Sequence, residues 1–275
     1  MADTVSGLRV RRLVDRDEIY EILRRDRLYA AYAIGDLEGV LFEKCQWAAA
    51  YEDGQASALC LLFKGLTPNA VFCMGKSAGL AMVLGSAMRP GRVFFAALPE
   101  HVAALRAFYD LDPPETLIRM AITSGAFRPV ESKAVRLASK DVDALNELYR
   151  LGGGTGFAPF QVTQGIFYGV RSEGRLVSTA GTHVISPKYS IGCVGNVFTH
   201  PAYRRRGYAA ECTSAVTKDV LAAGCGDVVL NVRADNYAAV RVYQRLGYLE
   251  HSRYMEAYGT RKGSISALLQ RLLIG

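Results

Sequence analysis

The chain has 275 residues, half of them hydrophobic and 21% charged. That is a globular composition, long enough for one large or two modest domains and too apolar for a disordered tail. A net charge of +7 favours anionic partners in general, without choosing between nucleic acid and a phosphorylated small molecule.

The six cysteines form no C-x-x-C pair and none lies at metal spacing from a histidine, which argues against structural zinc and against a disulfide framework. No metal is expected. The first residues, MADTVSGLRVRR, carry no signal-peptide core, and no stretch reaches the roughly 18 apolar residues of a membrane span. The reading is a cytoplasmic protein without a membrane partner.

In chain order, residues 8–25 read as a short strand and an amphipathic helix. Residues 46–63 read as a hairpin turning at Asp53–Gly54, where glycine supplies the positive φ of a tight turn. A glycine-bearing segment follows at 72–84, then a strand and helix at 93–111. Beyond a junction near 124–133 the same series returns. A strand and helix span 134–150, a hairpin turns at Glu173–Gly174, and a strand and helix span 228–248. AALRAF at 103–108 lies over AAVRVY at 238–243, and the offset stays at about 120 to 135 residues throughout. The pattern predicts a duplicated α/β unit with domains at 1–128 and 129–275. Residues 152–161, GGGTGFAPFQ, read as a mobile loop beside an acceptor cleft, and the tail 261–275 reads as a docking helix.

The chemistry concentrates in the second half. An apolar strand-like run from Ile191 to Thr199 is broken by His200–Pro201, because the residue before proline avoids the helical region. Three arginines, Arg204, Arg205 and Arg206, then meet Gly207. A helical pattern runs from Tyr208 to Ala223, and Gly224 closes it. An arginine–glycine turn at a helix start presents unpartnered amides and the positive end of the helix dipole, which suits phosphate. Gly207 lets a phosphate approach closely because it has no Cβ.

Arg204-x-x-Gly207-x-Ala209 resembles the pyrophosphate signature of the GNAT N-acetyltransferase superfamily. Downstream, LNVRADNYAAVRVYQRLGY resembles the second GNAT signature through Asn236, Ala239, Tyr243, Gly247 and Tyr248. The resemblance covers roughly 130–260; the first half shares only the rhythm. It implies an α/β fold (an α+β mixed sheet) of two GNAT-like domains, each a twisted, mostly antiparallel sheet flanked by helices. The first domain is expected to be degenerate. Its counterpart of the turn, 72–84, lacks the arginine signature, and its counterpart of Tyr243 is Phe108.

The resemblance also implies acetyl-CoA as acyl donor and direct transfer to a primary amine in a ternary complex. Backbone at Val197, Phe198 and Thr199 would bond the pantetheine arm in a gap between splayed strands. Arg204 to Arg206, with Gly207, Tyr208, Ala209 and Ala210, would hold the pyrophosphate. Asn231, Asn236 and Ala239 complete the cofactor set. Tyr243 would protonate the departing thiolate.

The general base stays open. The strand 191–199 contains no acid, unlike many relatives. Asn196 could orient a water, and His183 has a pKa suited to a base. A water chain or an amine that arrives neutral would serve as well. The acceptor is a small-molecule or peptide amine, and a homo-oligomer is left open. Nucleic acid is the weaker reading, because stacking aromatics do not accompany the arginines. The rival within the fold is a CoA-binding sensor or scaffold that transfers nothing.

Overall fold

The computed structural model describes residues 7–153 and 156–263. The docking helix expected at 261–275 lies outside the described residues apart from its first three positions. The chain forms β1 (Arg9–Leu13), α1 (Arg16–Leu23), α2 (Ala31–Gly35), β2 (Cys45–Glu52), β3 (Gln55–Phe63) and β4 (Asn69–Gly75). Next come α3 (Ser77–Ser86), β5 (Arg92–Ala97), α4 (Val102–Phe108), β6 (Tyr109–Leu111) and β7 (Glu115–Thr123). The second series is β8 (Val135–Arg136), α5 (Val142–Arg150), α6 (Pro159–Gln164), β9 (Phe167–Ser172), β10 (Arg175–Ser186) and β11 (Ile191–Thr199). It ends with α7 (Tyr208–Ala222), β12 (Asp227–Arg233), α8 (Tyr237–Arg245) and β13 (Leu249–Arg261). Helix α6 occupies part of the segment that the sequence presents as a loop, because Pro159 suits a first helical turn.

Local chemistry explains the boundaries. Asp15 caps α1, its carboxylate accepting from the Glu18 amide at 2.8 Å. Both hairpins turn on two residues with positive φ, Asp53 (50°) and Gly54 (77°) in one, Glu173 (51°) and Gly174 (79°) in the other. Those angles match the two-residue turn that follows the right-handed twist of its strands. Along β5, buried and partly buried residues alternate strictly, so one face of the strand enters the core.

The chain forms two compact units. The first comprises residues 1–117 and 253–275, the second 118–252. In the first, the strand order is β1-β2-β3-β4-β5-β13; in the second it is β8-β9-β10-β11-β12-β7. Each unit has a parallel pair, β4 with β5 and β11 with β12, and a helix, α3 or α7, connects the two strands of each. The main strands and helices of the two series follow the same order, with β6 present only in the first.

The division at 128/129 is not where the compact units part. Residues Met255–Thr260 of β13 pair antiparallel with Ala97–Arg92 of β5, so the end of the chain belongs to the first unit. Most of β7, at the end of the first repeat, lies beside β12 in the second. The repeats exchange their last strands. The reason is backbone pairing: the edges of β5 and β12 must each be covered, and the strand that covers each comes from the other repeat.

In the first unit, Cys60, Val71, Leu80, Val83, Phe95, Leu105 and Tyr109 are fully buried in one core, with the Phe95 and Tyr109 rings edge to face at 4.9 Å. In the second, one core joins the sheet to α7 and α8 through Val194, Val216, Val220, Val228, Leu246 and Tyr248. A smaller one joins it to α5 and α6 through Leu145, Leu148, Val162 and Phe167. Among the described residues no helix is long and apolar enough to cross a membrane.

Candidate active site

The site forms where two parallel strands part. β11 pairs with β12 from Ile191↔Asp227 to Val194↔Leu230, and the pairing stops there. Beyond that point β11 bulges. Thr179 opposes Phe198 and Gly181 opposes Gly195, which places an extra residue in β11 over this interval. Asn196 sits in the bulge with φ of 52°, a left-handed conformation uncommon for a residue with a side chain. The bulge turns the Gly195–Thr199 backbone away from the ladder with β12, leaving polar groups of Val197, Phe198 and Thr199 beside the opening.

At the next step the chain builds an anion cradle. After Thr199 a short helical turn, Pro201–Tyr203, leads into the arginines. Arg205 has φ of 64° and Gly207 has φ of 84°, and Gly207 is the N-cap of α7. The first intrahelical bond runs from the Glu211 amide to the Gly207 carbonyl at 3.1 Å. The amides of Tyr208, Ala209 and Ala210 therefore have no partner within the helix. A Cβ at Gly207 would meet nothing nearer than a Glu211 carboxylate oxygen at 4.0 Å, so the space over the turn is open. Left-handed residues among open amides make an anion-binding nest.

The arginines divide their labour. Arg204 donates from Nε to the Thr199 carbonyl at 3.3 Å, which ties the turn to the strand end. Arg206 lies over the Tyr203 ring at 5.0 Å. Arg205, exposed and left-handed, makes no ion pair among the described residues.

Tyr243 on α8 is buried among the α7/α8 core, its ring 6.2 Å from that of Tyr248. Its hydroxyl makes no hydrogen bond to any described residue, and burial pushes its pKa up to about 12. It stays protonated near neutrality, as a proton donor must. Asn236 caps α8, accepting from the Ala239 amide at 3.2 Å. Its carbonyl oxygen is committed to the helix, and its NH2 is the part left for a ligand. Asn231, the next residue on β12 after the last pair with β11, has a buried side-chain oxygen without a hydrogen-bond partner. An orphaned acceptor beside the opening fits an amide-bearing arm that donates to it.

A residue missed in the sequence joins this set. Tyr149 on α5 packs edge to face on Phe157 at 4.8 Å and against Phe198 of β11 at 5.9 Å. Burial, and secondly the Tyr243 hydroxyl, raises its pKa. Helices on opposite faces of the sheet thus bring two neutral phenols towards the same opening. The usable signal was the aromatic content of α5 and of residues 157–160, which amphipathic spacing alone reads as core.

His183 and Asn196 come close to each other. His183 occupies a bulge in β10 between the pairs Thr182↔Val194 and Val184↔Cys193. Its ring lies against Gly195, where any Cβ would collide with it. The ring keeps solvent contact, yet the surrounding protein disfavours the imidazolium and lowers its pKa. His183 lies on β10 against Gly195 of β11, whereas Tyr243 sits in the α7/α8 core.

The corresponding place in the first unit is closed. β4 pairs with β5 as far as Phe72↔Ala96, and only Lys76 separates β4 from α3. Fully buried His101 spans the region: its Nδ1 accepts from the Leu98 amide at 3.2 Å and its Nε2–H donates to the Gly75 carbonyl at 2.8 Å. Ser77 Oγ donates to the Glu100 carbonyl at 2.7 Å. Phe108, the counterpart of Tyr243, packs on Gly85.

Parallel strands that part beside a glycine turn at the start of α7, with a buried tyrosine on α8, are the arrangement that the two sequence signatures led us to expect. Residues 141–248 match the Acetyltransferase (GNAT) family model. The chain is 43% identical over 49 residues to an acetyltransferase of Sodalis glossinidius, a stretch covering 18% of this chain and 34% of that protein. It thus spans about a third of the length of that curated relative.

Two solved structures share the fold along nearly the whole chain. A GCN5-related N-acetyltransferase from Sphaerobacter thermophilus aligns over 94% of this chain and 97% of its own, with TM-score 0.62 and 20% identity. A tandem GNAT protein from the clavulanic acid biosynthesis pathway aligns over 94% and 99%, with TM-score 0.54 and 12% identity.

Proposed function

We propose that the second unit is an N-acetyltransferase, taking the acetyl group from acetyl-CoA and passing it to a primary amine by direct attack in a ternary complex. The observation that carries the reading is the coincidence, in one place, of three things. β11 and β12 stop pairing at Val194↔Leu230, the left-handed Gly207 turn opens α7, and Tyr243 offers a hydroxyl without a protein partner. The thioester of the donor supplies the activated acetyl group.

This chain's residues do the rest. The amides of Arg205, Arg206, Gly207, Tyr208 and Ala209 hold the pyrophosphate, with Arg204 keeping the turn in place. Backbone of Val197 and Thr199, with the Asn231 side chain, takes the amides of the arm. A strand amide in this stretch polarises the carbonyl. Much of the acceleration comes from aligning the amine with the thioester. As nitrogen attacks and the carbon–sulfur bond breaks, Tyr243 gives its proton to the sulfur. The amine proton leaves to water ordered by Asn196 or to neutral His183. Closure of the first unit's counterpart by His101 supports a single active site per chain.

The test is release of free thiol from acetyl-CoA across a panel of primary amines, with native mass spectrometry recording the bound cofactor. Bound CoA with no thiol release on any amine would favour the sensor reading, for which the acid-free strand Ile191–Thr199 speaks.

A further inference from the structure

The second unit contains a cavity of about 440 Å³ outside the machinery described above. Its walls are α5, the β9–β10 hairpin and the turn that follows β11, contributed by Leu148, Leu151, Leu176, Val177 and Tyr203 among others. It meets the chain at His200–Tyr203, upstream of the phosphate turn. Leu148, Leu176 and Val177 are buried, but Leu151 is 55% exposed beside them, so an aliphatic surface remains for a ligand to cover.

The rim carries both signs of charge. Arg171 is committed, donating to Asp141 at 2.7 Å and to the Gly174 carbonyl at 3.1 Å. Arg175 and Glu147 are not: they form a long pair at 3.5 Å, with side chains 75% and 68% exposed. Such a pair contributes little to stability and leaves most donor and acceptor positions open. His200 adds a directed donor. Its Nδ1 accepts from the Ala202 amide at 3.2 Å, so the neutral ring carries its proton on Nε2.

We propose that this cavity is a second ligand site, for a small zwitterion with an aliphatic body, the class of the aliphatic α-amino acids. The carboxylate takes Arg175 and His200, the ammonium takes Glu147, and the aliphatic body covers Leu151 over the floor of Leu148 and Leu176. A ligand of one charge would leave one rim partner unused.

The experiment is calorimetric titration of the full chain, without CoA, using L-leucine, 4-methylpentanoate and isopentylamine. Leucine should bind saturably and at least about tenfold tighter than either single-charge analogue, the loss expected for one hydrogen bond to a charged group. Arg175→Ala and Glu147→Gln, both at exposed positions, should each weaken leucine by a similar factor, while melting temperatures stay as in the parent. No saturable leucine binding below about 10 mM, equal affinity for the three compounds, or binding indifferent to both substitutions would overturn the proposal. Because CoA is absent, failure here leaves the acetyltransferase reading untouched, and the reverse also holds.

Discussion

Tyr243 is a phenol kept neutral by its surroundings, and its chemistry follows from that. Tyr243→Phe removes the proton donor and keeps the ring, so turnover should fall by about a hundredfold while CoA affinity, measured by titration, changes little. Unchanged turnover would remove Tyr243 from its role. Burial raises the Tyr243 pKa from 10.0 to about 12, so kcat should show no alkaline fall from this group below pH 10. If His183 takes the amine proton, its lowered pKa keeps it competent through neutrality, and the acid limb should disappear in His183→Gln. Asp36, at the end of α2, shows the same physics with opposite consequence. Burial raises its carboxyl from 3.8 to about 7, so the folded state holds its proton more tightly than the unfolded one. Its ionisation therefore weakens the fold progressively as pH rises from about 4 to 7. Asp36→Asn should raise stability by about 4 kcal/mol at pH 8 and by almost nothing at pH 4, read from denaturant titrations at the two pH values.

Among the elements, the turn between β11 and α7 ranks first, because one glycine sets both its conformation and its reach. Gly207→Val places a branched side chain at φ of 84° and over the open amides. CoA affinity should drop more than about tenfold, with a smaller change in melting temperature; unchanged affinity would mean the phosphates bind elsewhere. This turn was legible in the sequence because its signals are local: a proline, a glycine and helix periodicity within a dozen residues. The two hairpins were legible for the same reason, each marked by an acidic residue and a glycine. Tyr149 was not, since its partners Phe157 and Phe198 lie 8 and 49 positions away and helical spacing says only that it faces inward. The bulge at Asn196 was not, since a strand pattern gives no notice of a residue in excess. The closure of the first unit by His101 was half visible, in the missing arginine signature, while the histidine that performs it looked like any other in a short loop.

For the whole molecule, duplication was visible as rhythm, but the exchange of final strands was not. Apolar strands of similar length look alike, and sequence order suggests that each stays with its own repeat. The exchange makes 128/129 a poor place to cut. A fragment of residues 1–128 loses the strand that pairs with Arg92–Ala97, so it should unfold without a cooperative transition. Supplying residues 129–275 in the same cell should recover both as a complex on size exclusion. A sharply melting, monomeric 1–128 fragment would show that β5 does not need that partner. The same feature governs synthesis from the ribosome. The first unit cannot finish its sheet when its own repeat has emerged, because residues 253–261 follow the other elements of the second repeat. Until then β5 waits with an unpaired edge while the second repeat is made, well over a hundred residues at about 5–20 per second. Nascent chains should therefore pass through a window of several seconds in which an early-translated edge is open to chaperones or to neighbouring chains.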